Sequence, residues 1–264
     1  MTEQIPDAMA LVLVVGFGLI GGSFLNVCIY RLPRRESLVL PASHCTACGR
    51  SLRWFENVPV LSYLILRGRC RTCSVRISPV YPAIEMAAAV VAVIWYEQFG
   101  LSVLFVSRLV FAFALLVLFV IDLRQRILPN VITVPGVVVG FAFSLLGPSD
   151  LPGWRDSLIG LVAGGGVLYL LAESWWLVRH EEAMGFGDIK MLAMIGAFLG
   201  WQLMILTLVF ASLVGAVVGL VMIAAGTGNR KSQLPFGTFL ALAALLACVV
   251  GQPVVNWYID RLWR

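Results

Sequence analysis

The chain has 264 residues, of which 60% are hydrophobic and only 12% are charged, and its mean hydropathy is +0.94. A water-soluble domain is about half apolar and a quarter charged, so this composition excludes an ordinary soluble protein and predicts a surface that largely faces lipid. The net charge of +5 is concentrated in nine arginines between Arg31 and Arg76. Such a run could bind nucleic acid, but in a membrane protein it indicates a cytoplasmic loop, so we expect no nucleic-acid partner.

Long apolar runs predict an all-α fold, a polytopic membrane bundle of about eight transmembrane helices. The first ten residues are acidic where a cleavable signal peptide would be basic, so we expect the first run to remain as an anchor. A crossing needs about 20 apolar residues. The predicted spans lie near residues 8–30, 82–97, 101–121, 131–147, 157–178, 188–200, 202–226 and 235–252. One long bent helix over 188–226 would give seven spans, but Gly200-Trp201-Gln202 favours a break.

Two CxxC pairs lie in the polar segment after the first span, with 21 residues between them. Each pair can give two thiolates to a tetrahedral metal ion, so the spacing predicts one closed, structural zinc site. Two disulfides are the alternative, but they would not persist in a reducing cytoplasm, and a redox role is possible for one pair. The predicted ligands are Cys45, Cys48, Cys70 and Cys73. We expect residues 1–80 to form the first helix with this loop, and residues 81–264 the remaining membrane domain.

Basic residues predict the orientation of the spans, because cytoplasmic loops are rich in arginine and lysine. With the 31–80 loop inside, alternation places most other basic clusters inside as well: Arg124, Arg126, Arg179, Arg230 and Lys231. Arg261 and Arg264 run against the rule. Asp122 ends an inward-going span and Asp188 begins an outward-going one. Both carboxyl groups should therefore reach the cytoplasmic face, although 66 residues separate them.

The two aspartates are candidates for proton-transfer chemistry. Carboxylates at the edge of apolar spans are costly to bury and mark functional sites. If they lie close together they can share one proton, so that one acts on water as a base while the other polarises a carbonyl. Asp122 could instead be a solvated flanking charge beside Arg124, but Gly185 and Gly187 before Asp188 permit unusual backbone and close approach.

Several other residues could support such a site. Pro235 and Gly237 open the last span, either as an ordinary helix start or as an edge that receives an extended substrate. Lys190 could act on a nearby carboxylate or extend its amine to the membrane surface. Glu85 lies one turn inside the second span, and the glycine run at 164–166 indicates close helix packing.

These residues together resemble the bacterial type IV prepilin peptidases, the GxGD class of membrane aspartyl proteases. The resemblance covers nearly the whole chain and rests on a series of motifs in a fixed order: residues 22–33, the two CxxC pairs, Asn57-Val58-Pro59, residues 66–70, residues 81–85, Asp122 with Leu128-Pro129-Asn130, residues 184–190 beginning at Met184, and Pro235-Phe236-Gly237. Asn130 departs from the family, whose members often carry an aspartate there.

The resemblance implies a specific activity. Such enzymes cleave the short basic leader from prepilins and pseudopilins of type IV pili and type II secretion, at the cytoplasmic face of the inner membrane. Asp122 and Asp188 would be the catalytic pair, with Gly185, Gly187, Lys190, Pro235 and Gly237 in support. Many members also methylate the new N-terminus with S-adenosylmethionine, for which the motifs assign no binding residue. Membrane lipid is a further expected partner, because the basic loop could hold anionic lipid.

Two other classes of function compete with a peptidase. A proton-coupled or ion transporter could use the same aspartates, but it would place them near the middle of the bilayer rather than at one edge. A structural component of a secretion system would need no aspartate chemistry.

Overall fold

A computed structural model describes residues 7–146, 151–180, 185–226 and 234–262 of the chain. The sequence predictions that concern Met184, Arg230, Lys231 and Arg264 lie outside these ranges. The described residues form eight α-helices: α1 (Asp7–Arg31), α2 (Leu61–Ile65), α3 (Val80–Phe99), α4 (Val103–Gln125), α5 (Asn130–Leu145), α6 (Trp154–Arg179), α7 (Phe186–Ala224) and α8 (Phe236–Leu262). Short 3₁₀ turns cover Leu32–Arg34 and Trp54–Asn57, and within these ranges the only β-pairing is two isolated bridges.

The predicted all-α membrane fold is confirmed. Six of the described helices are long and apolar enough to cross a membrane, and α5 is a shorter apolar helix of 16 residues. The 39-residue α7 has non-helical backbone at Gly200, with φ 78° and ψ 173°, so two helices meet there. If α5 and both parts of α7 are counted, the helices correspond one by one to the eight predicted segments.

The last helix extends farther than predicted. The expected span ended at residue 252 with the apolar run, whereas α8 continues to Leu262 with Pro253 in its interior. Proline removes one backbone hydrogen bond from a helix, but the helix continues here. The Gln252 side chain donates a hydrogen bond to Asn256 Oδ1 at 3.3 Å, which joins the turns on either side of the proline.

The chain divides into two compact units, residues 1–117 and 118–264. In the first unit α1 packs against α3, and glycines on α1 allow the close approach. A Cβ atom at Gly18 would lie 2.6 Å from Ala89 Cα, and one at Gly22 would lie 2.5 Å from Glu85 Cα. The numbering rises on one helix as it falls on the other, so the pair is antiparallel.

In the second unit α7 packs against α5, α6 and α8. The contact with α6 depends on small residues, as is usual between membrane helices. A Cβ at Gly196 would lie 2.1 Å from the Gly160 carbonyl oxygen, and one at Gly164 would lie 2.7 Å from the Leu192 oxygen. The buried Ser157 hydroxyl also donates to the Ala197 carbonyl. Gly164 thus confirms the predicted close packing, whereas Gly166 has nothing within 4 Å of its Cβ position.

The α6–α7 contact gives a stability prediction. Gly196→Ala should destabilise the protein by about 1–3 kcal/mol, because the new methyl group would meet backbone atoms that cannot move aside. Gly166→Ala is the matched control, since the same change on an open helix surface should be neutral or stabilise by up to about 1 kcal/mol. Thermal unfolding of the purified proteins in detergent measures both. Equal unfolding temperatures for the two variants would contradict this packing.

Candidate active site and metal centre

Asp122 lies in the last full turn of α4, and its side chain is buried, with 4% of its surface exposed. The helix ends one turn later, where the Arg126 N–H donates to the Asp122 carbonyl at 2.8 Å and Arg126 takes a positive φ of 55°. This ending leaves the carboxyl group at the rim of an apolar helix. A carboxylate buried there needs hydrogen-bond donors to offset the loss of water.

Those donors come from the start of α8. The Thr238 backbone N–H donates to Asp122 Oδ2 at 2.6 Å, and the Thr238 hydroxyl donates to the same oxygen at 2.9 Å. The first N–H groups of a helix have no partner within the helix, and they carry the positive end of its dipole. The Asp122 carboxyl thus acts as a cap for α8, and the two bonds to one oxygen fix its orientation.

Asp188 lies in the first turn of α7, and its N–H donates to the Gly185 carbonyl at 3.1 Å. Its side chain is half-buried. Leu128 lies against Gly187, which precedes Asp188, and against Gly237, which borders the Asp122 carboxyl group, so the two aspartates lie around the same leucine. The structure therefore brings together the two carboxyl groups that the sequence placed on one face.

Leu128, on the segment between α4 and α5, fills the space beside both predicted glycines. A Cβ at Gly187 would lie 2.8 Å from Leu128 Cβ. A Cβ at Gly237 would lie 2.9 Å from Leu128 Cδ1 and 3.0 Å from Asp122 Oδ2. Glycine at these positions lets the starts of α7 and α8 approach Leu128 and the Asp122 carboxyl without displacing them.

The remaining predicted residues lie around this cluster. Gly185 precedes α7 with an extended backbone, φ −72° and ψ 141°. Pro235 precedes α8, and its carbonyl also accepts from the Thr238 N–H at 3.2 Å. The Lys190 amine donates to Asn130 Oδ1 at 2.9 Å, a contact that neither interpretation of Lys190 included.

Two residues of the cluster had no predicted role. Thr238 follows the Pro-Phe-Gly motif directly, and its position in the first turn of a helix, where backbone N–H groups lack the usual partner four residues back, is the only sequence signal for it. Leu128 belongs to the Leu128-Pro129-Asn130 motif, but the identity of a single leucine does not indicate which glycines it contacts.

The cluster also determines the path of α7. The Leu203 side chain lies against Gly251, and the Leu234 side chain lies against Gly219. Residues 201–224 therefore run antiparallel to α8. Both α7 and α8 begin beside Asp122. The two parts of α7 therefore run in opposite directions from Gly200, which supports eight segments over seven.

The four predicted cysteines form one cluster. Their sulfur atoms all lie within 4.8 Å of one another, and Cys45 Sγ lies 3.8 Å from Cys73 Sγ. Four thiolates about 2.3 Å from a zinc ion form a tetrahedron with edges of about 3.8 Å, so the cluster has the size that zinc requires. His44 bonds to the Ala42 carbonyl and is not part of it.

Each cysteine pair lies on a tight turn of the same form. The Gly49 N–H donates to the Cys45 carbonyl at 2.9 Å, and the Ser74 N–H donates to the Cys70 carbonyl at 3.0 Å. Within the second turn the backbone N–H groups of Cys73 and Thr72 point at the Cys70 sulfur, and they lower the pKa of this thiol to about 6. These N–H groups thus favour the thiolate of Cys70, the form that binds metal.

An ion pair supports the metal loop. Arg50 contacts Glu56 at 2.7 Å, and the Arg53 N–H donates to the same carboxylate at 2.9 Å. The bond from Arg50, followed by that from Arg53, lowers the pKa of the buried Glu56 carboxyl below its ordinary value. The loop buries few of its apolar side chains, so such polar contacts, and a metal ion held by the four cysteines, would take the place of a core.

The chain matches two families of known proteins. Residues 16–99 match the bacterial Peptidase A24 N-terminal domain, and residues 109–220 match the type IV leader peptidase family. None of the solved structures matches this chain.

Curated relatives align along almost the whole chain. A protein of Pseudomonas putida is 37% identical over 94% of this chain and 93% of its own length. A protein of Aeromonas hydrophila is 36% identical over 94% of this chain and 93% of its own length. A protein of Pseudomonas aeruginosa is 35% identical over 97% of this chain and 95% of its own length. All three are named prepilin leader peptidase/N-methyltransferase, and these names give no support to the transporter interpretation. With its six long apolar helices, this multi-pass membrane protein belongs to the type IV leader peptidase family.

Proposed function

We propose that this chain cleaves the leader from prepilins and pseudopilins at the cytoplasmic face of the inner membrane, with Asp122 and Asp188 as the catalytic pair. The observation that carries the proposal is the meeting of these two carboxyl groups, 66 residues apart in sequence, at the ends of three apolar helices. The names of the relatives support the substrate class.

In this mechanism one carboxyl group takes a proton from water while the other polarises the scissile carbonyl, and the pair then returns a proton to the leaving amine. Thr238 holds Asp122 in one orientation throughout. Gly187 and Gly237 let the starts of α7 and α8 pack closely against Leu128 and the Asp122 carboxyl group, which holds the two aspartates at one end of these helices. Gly185, Pro235 and Lys190 shape the starts of α7 and α8 around them.

A second activity accompanies cleavage. The relatives' names include N-methyltransferase, and this chain methylates the new N-terminal amine with S-adenosylmethionine as the methyl donor. The donor is consumed as a second substrate. Residues 81–264 carry the peptidase chemistry, and residues 1–80 carry the zinc loop.

The orientation of the helices supports the cytoplasmic location. Arginines lie in the last turns of α1, α4 and α6, at Arg31, Arg124 and Arg179. Since basic residues mark the cytoplasmic ends of spans, α4 ends, and α7 begins, on that side. Arg155 in the first turn of α6 and Arg261 in the last turn of α8 are exceptions.

The catalytic pair gives the main prediction. Asp122→Asn and Asp188→Asn should each reduce cleavage by about a hundredfold or more, because each removes one proton-transfer group. The double variant should be scarcely slower than either single one, since the two residues act as a unit. The wild-type pH–rate profile should be bell-shaped. Conversion of a prepilin precursor in detergent, followed on gels, measures the rates.

Asp156→Asn is the matched control, because Asp156 lies in the first turn of α6, and an asparagine oxygen can still accept the hydrogen bond that the Trp201 indole donates to Asp156 Oδ1. It should cleave at the wild-type rate. An Asp188→Asn protein that unfolds like wild type and still cleaves normally would end the aspartyl-protease proposal.

The cysteine cluster should hold one zinc ion per chain. Cys48→Ser should abolish zinc retention and lower the yield of folded protein, because a closed site holds its loop together. Cys248→Ser on α8, outside the cluster, should keep the metal. Elemental analysis of the purified proteins measures the ratio. A metal-free wild-type protein, or a disulfide mapped within the four cysteines, would contradict a zinc site.

The proposed cytoplasmic location of the active site predicts the result of reporter fusions. Fusions after Arg76 and Arg126 should both report the cytoplasm, and a fusion after Pro152 should report the opposite side. The reason is that α4 runs inward and α6 begins outside. If the reporters after Arg76 and Arg126 disagreed, the shared cytoplasmic face would be wrong.

A further inference from the structure

A groove of about 630 Å³ lies in the first unit, between α1, α3 and the segment 54–61. Gly16 and Ile20 line it from α1, Met86 lines it from α3, and Trp54 and Leu61 line it from the segment. The lining is almost wholly apolar, and none of these residues takes part in the proposed catalytic or metal sites. The volume is in the range of sites that bind a small molecule.

A buried carboxylate fixes the wall of the groove. The Val60 N–H donates to Glu85 Oε2 at 2.7 Å, and Glu85 is only 8% exposed on α3. Val60 has φ 59° and ψ −49°, a conformation that is costly for a β-branched residue and persists only where its surroundings impose it. The segment is therefore held in place by α3.

The groove opens toward the membrane. Ile20 and Met86 lie on membrane-spanning helices with 66% and 50% of their surfaces exposed, so they face acyl chains. Trp54 also lines the groove and is 83% exposed, and tryptophan is enriched at the level of the lipid headgroups.

Phe55 packs edge-on against this tryptophan, with ring centres 5.7 Å apart, and two arginines lie beside Phe55. The guanidinium groups of Arg53 and Arg71 lie 6.0 and 5.8 Å from the centre of the Phe55 ring, and both side chains are exposed. Residues 31–79 contain nine arginines against two glutamates, so an anion is attracted to this surface. A basic leader peptide would be repelled.

We infer that the groove holds one acyl chain of an anionic phospholipid, whose phosphate is bound by Arg53 and Arg71. The apolar lining accommodates the chain, the exposed arginines neutralise the headgroup, and the Glu85–Val60 bond keeps the groove open. This inference does not rest on the proposed peptidase activity.

Lipid retention tests the site directly. Purified protein is incubated with equal amounts of phosphatidylglycerol and phosphatidylcholine, washed in detergent, and its bound lipid is measured by mass spectrometry. Wild type should retain phosphatidylglycerol preferentially. In the double variant R53Q/R71Q this retention should fall about twenty-five-fold, at roughly fivefold for each arginine near a membrane surface. The control variant R155Q/R179Q removes two arginines that lie over Trp154 and Trp175, and it should retain phosphatidylglycerol as wild type does.

A second experiment tests the groove by filling it with a side chain. A Cβ at Gly16 has nothing within 4 Å, so Gly16→Phe places a ring in the groove without displacing backbone and should reduce lipid retention severalfold. Gly166→Phe, on an equally open part of α6, should have no effect.

Three outcomes would overturn the inference. They are equal retention of both lipids by wild type, unchanged phosphatidylglycerol retention in both R53Q/R71Q and Gly16→Phe, and a Gly16→Phe protein that keeps its lipid but binds precursor more weakly. The last outcome would assign the groove to the substrate. Loss of cleavage in the aspartate variants with lipid retention intact would leave the lipid site standing.

Discussion

The hydrogen bonds from Thr238 to Asp122 are the constraint on which the second unit depends. A carboxylate at the end of an apolar helix must find donors, and the unpaired N–H groups of a helix start are the donors that a membrane protein has available. The resulting hydrogen bonds join the end of α4 to the start of α8. Leu128 then fills the remaining space, and Gly237 must lack a side chain because a Cβ there would contact both Leu128 and the carboxyl oxygen.

The same bonds direct the chain through the bilayer. Because α7 and α8 both begin beside Asp122, the 39 residues of α7 must leave that face and return to it. Gly200 permits the reversal, since its φ of 78° is accessible to glycine at little cost. The Trp201 indole donates to Asp156 at 3.1 Å and holds the far end of the path against α6. Catalytic geometry at one face thus depends on a turn near the other.

Sequence reasoning predicted the features that depend on composition and local pattern. Apolar run length gave the helices, the CxxC spacing gave the cysteine cluster, and the charge distribution gave a common face for Asp122 and Asp188. The contacts it missed join residues distant in sequence, where many pairings are equally compatible with the pattern. Thr238 lies beyond residues 109–220, the part that matches the leader peptidase family. The sequence places Glu85 one turn inside the second span, but its bond to Val60 requires knowing how a loop of nearly fifty residues folds back on α3.

The loop between α1 and α3 shows how a polar segment becomes rigid without an apolar core. The cysteine cluster joins its two tight turns, the Arg50–Glu56 pair joins the first turn to the 3₁₀ segment, and the Val60 bond to Glu85 joins that segment to α3. Each link removes conformational freedom that the loop would otherwise retain. A groove bounded by such a loop keeps its shape before anything enters it, so a bound chain need not order the loop again. The cysteine cluster and the groove therefore belong to one loop, and the polar contacts along it connect the cluster to the wall of the groove.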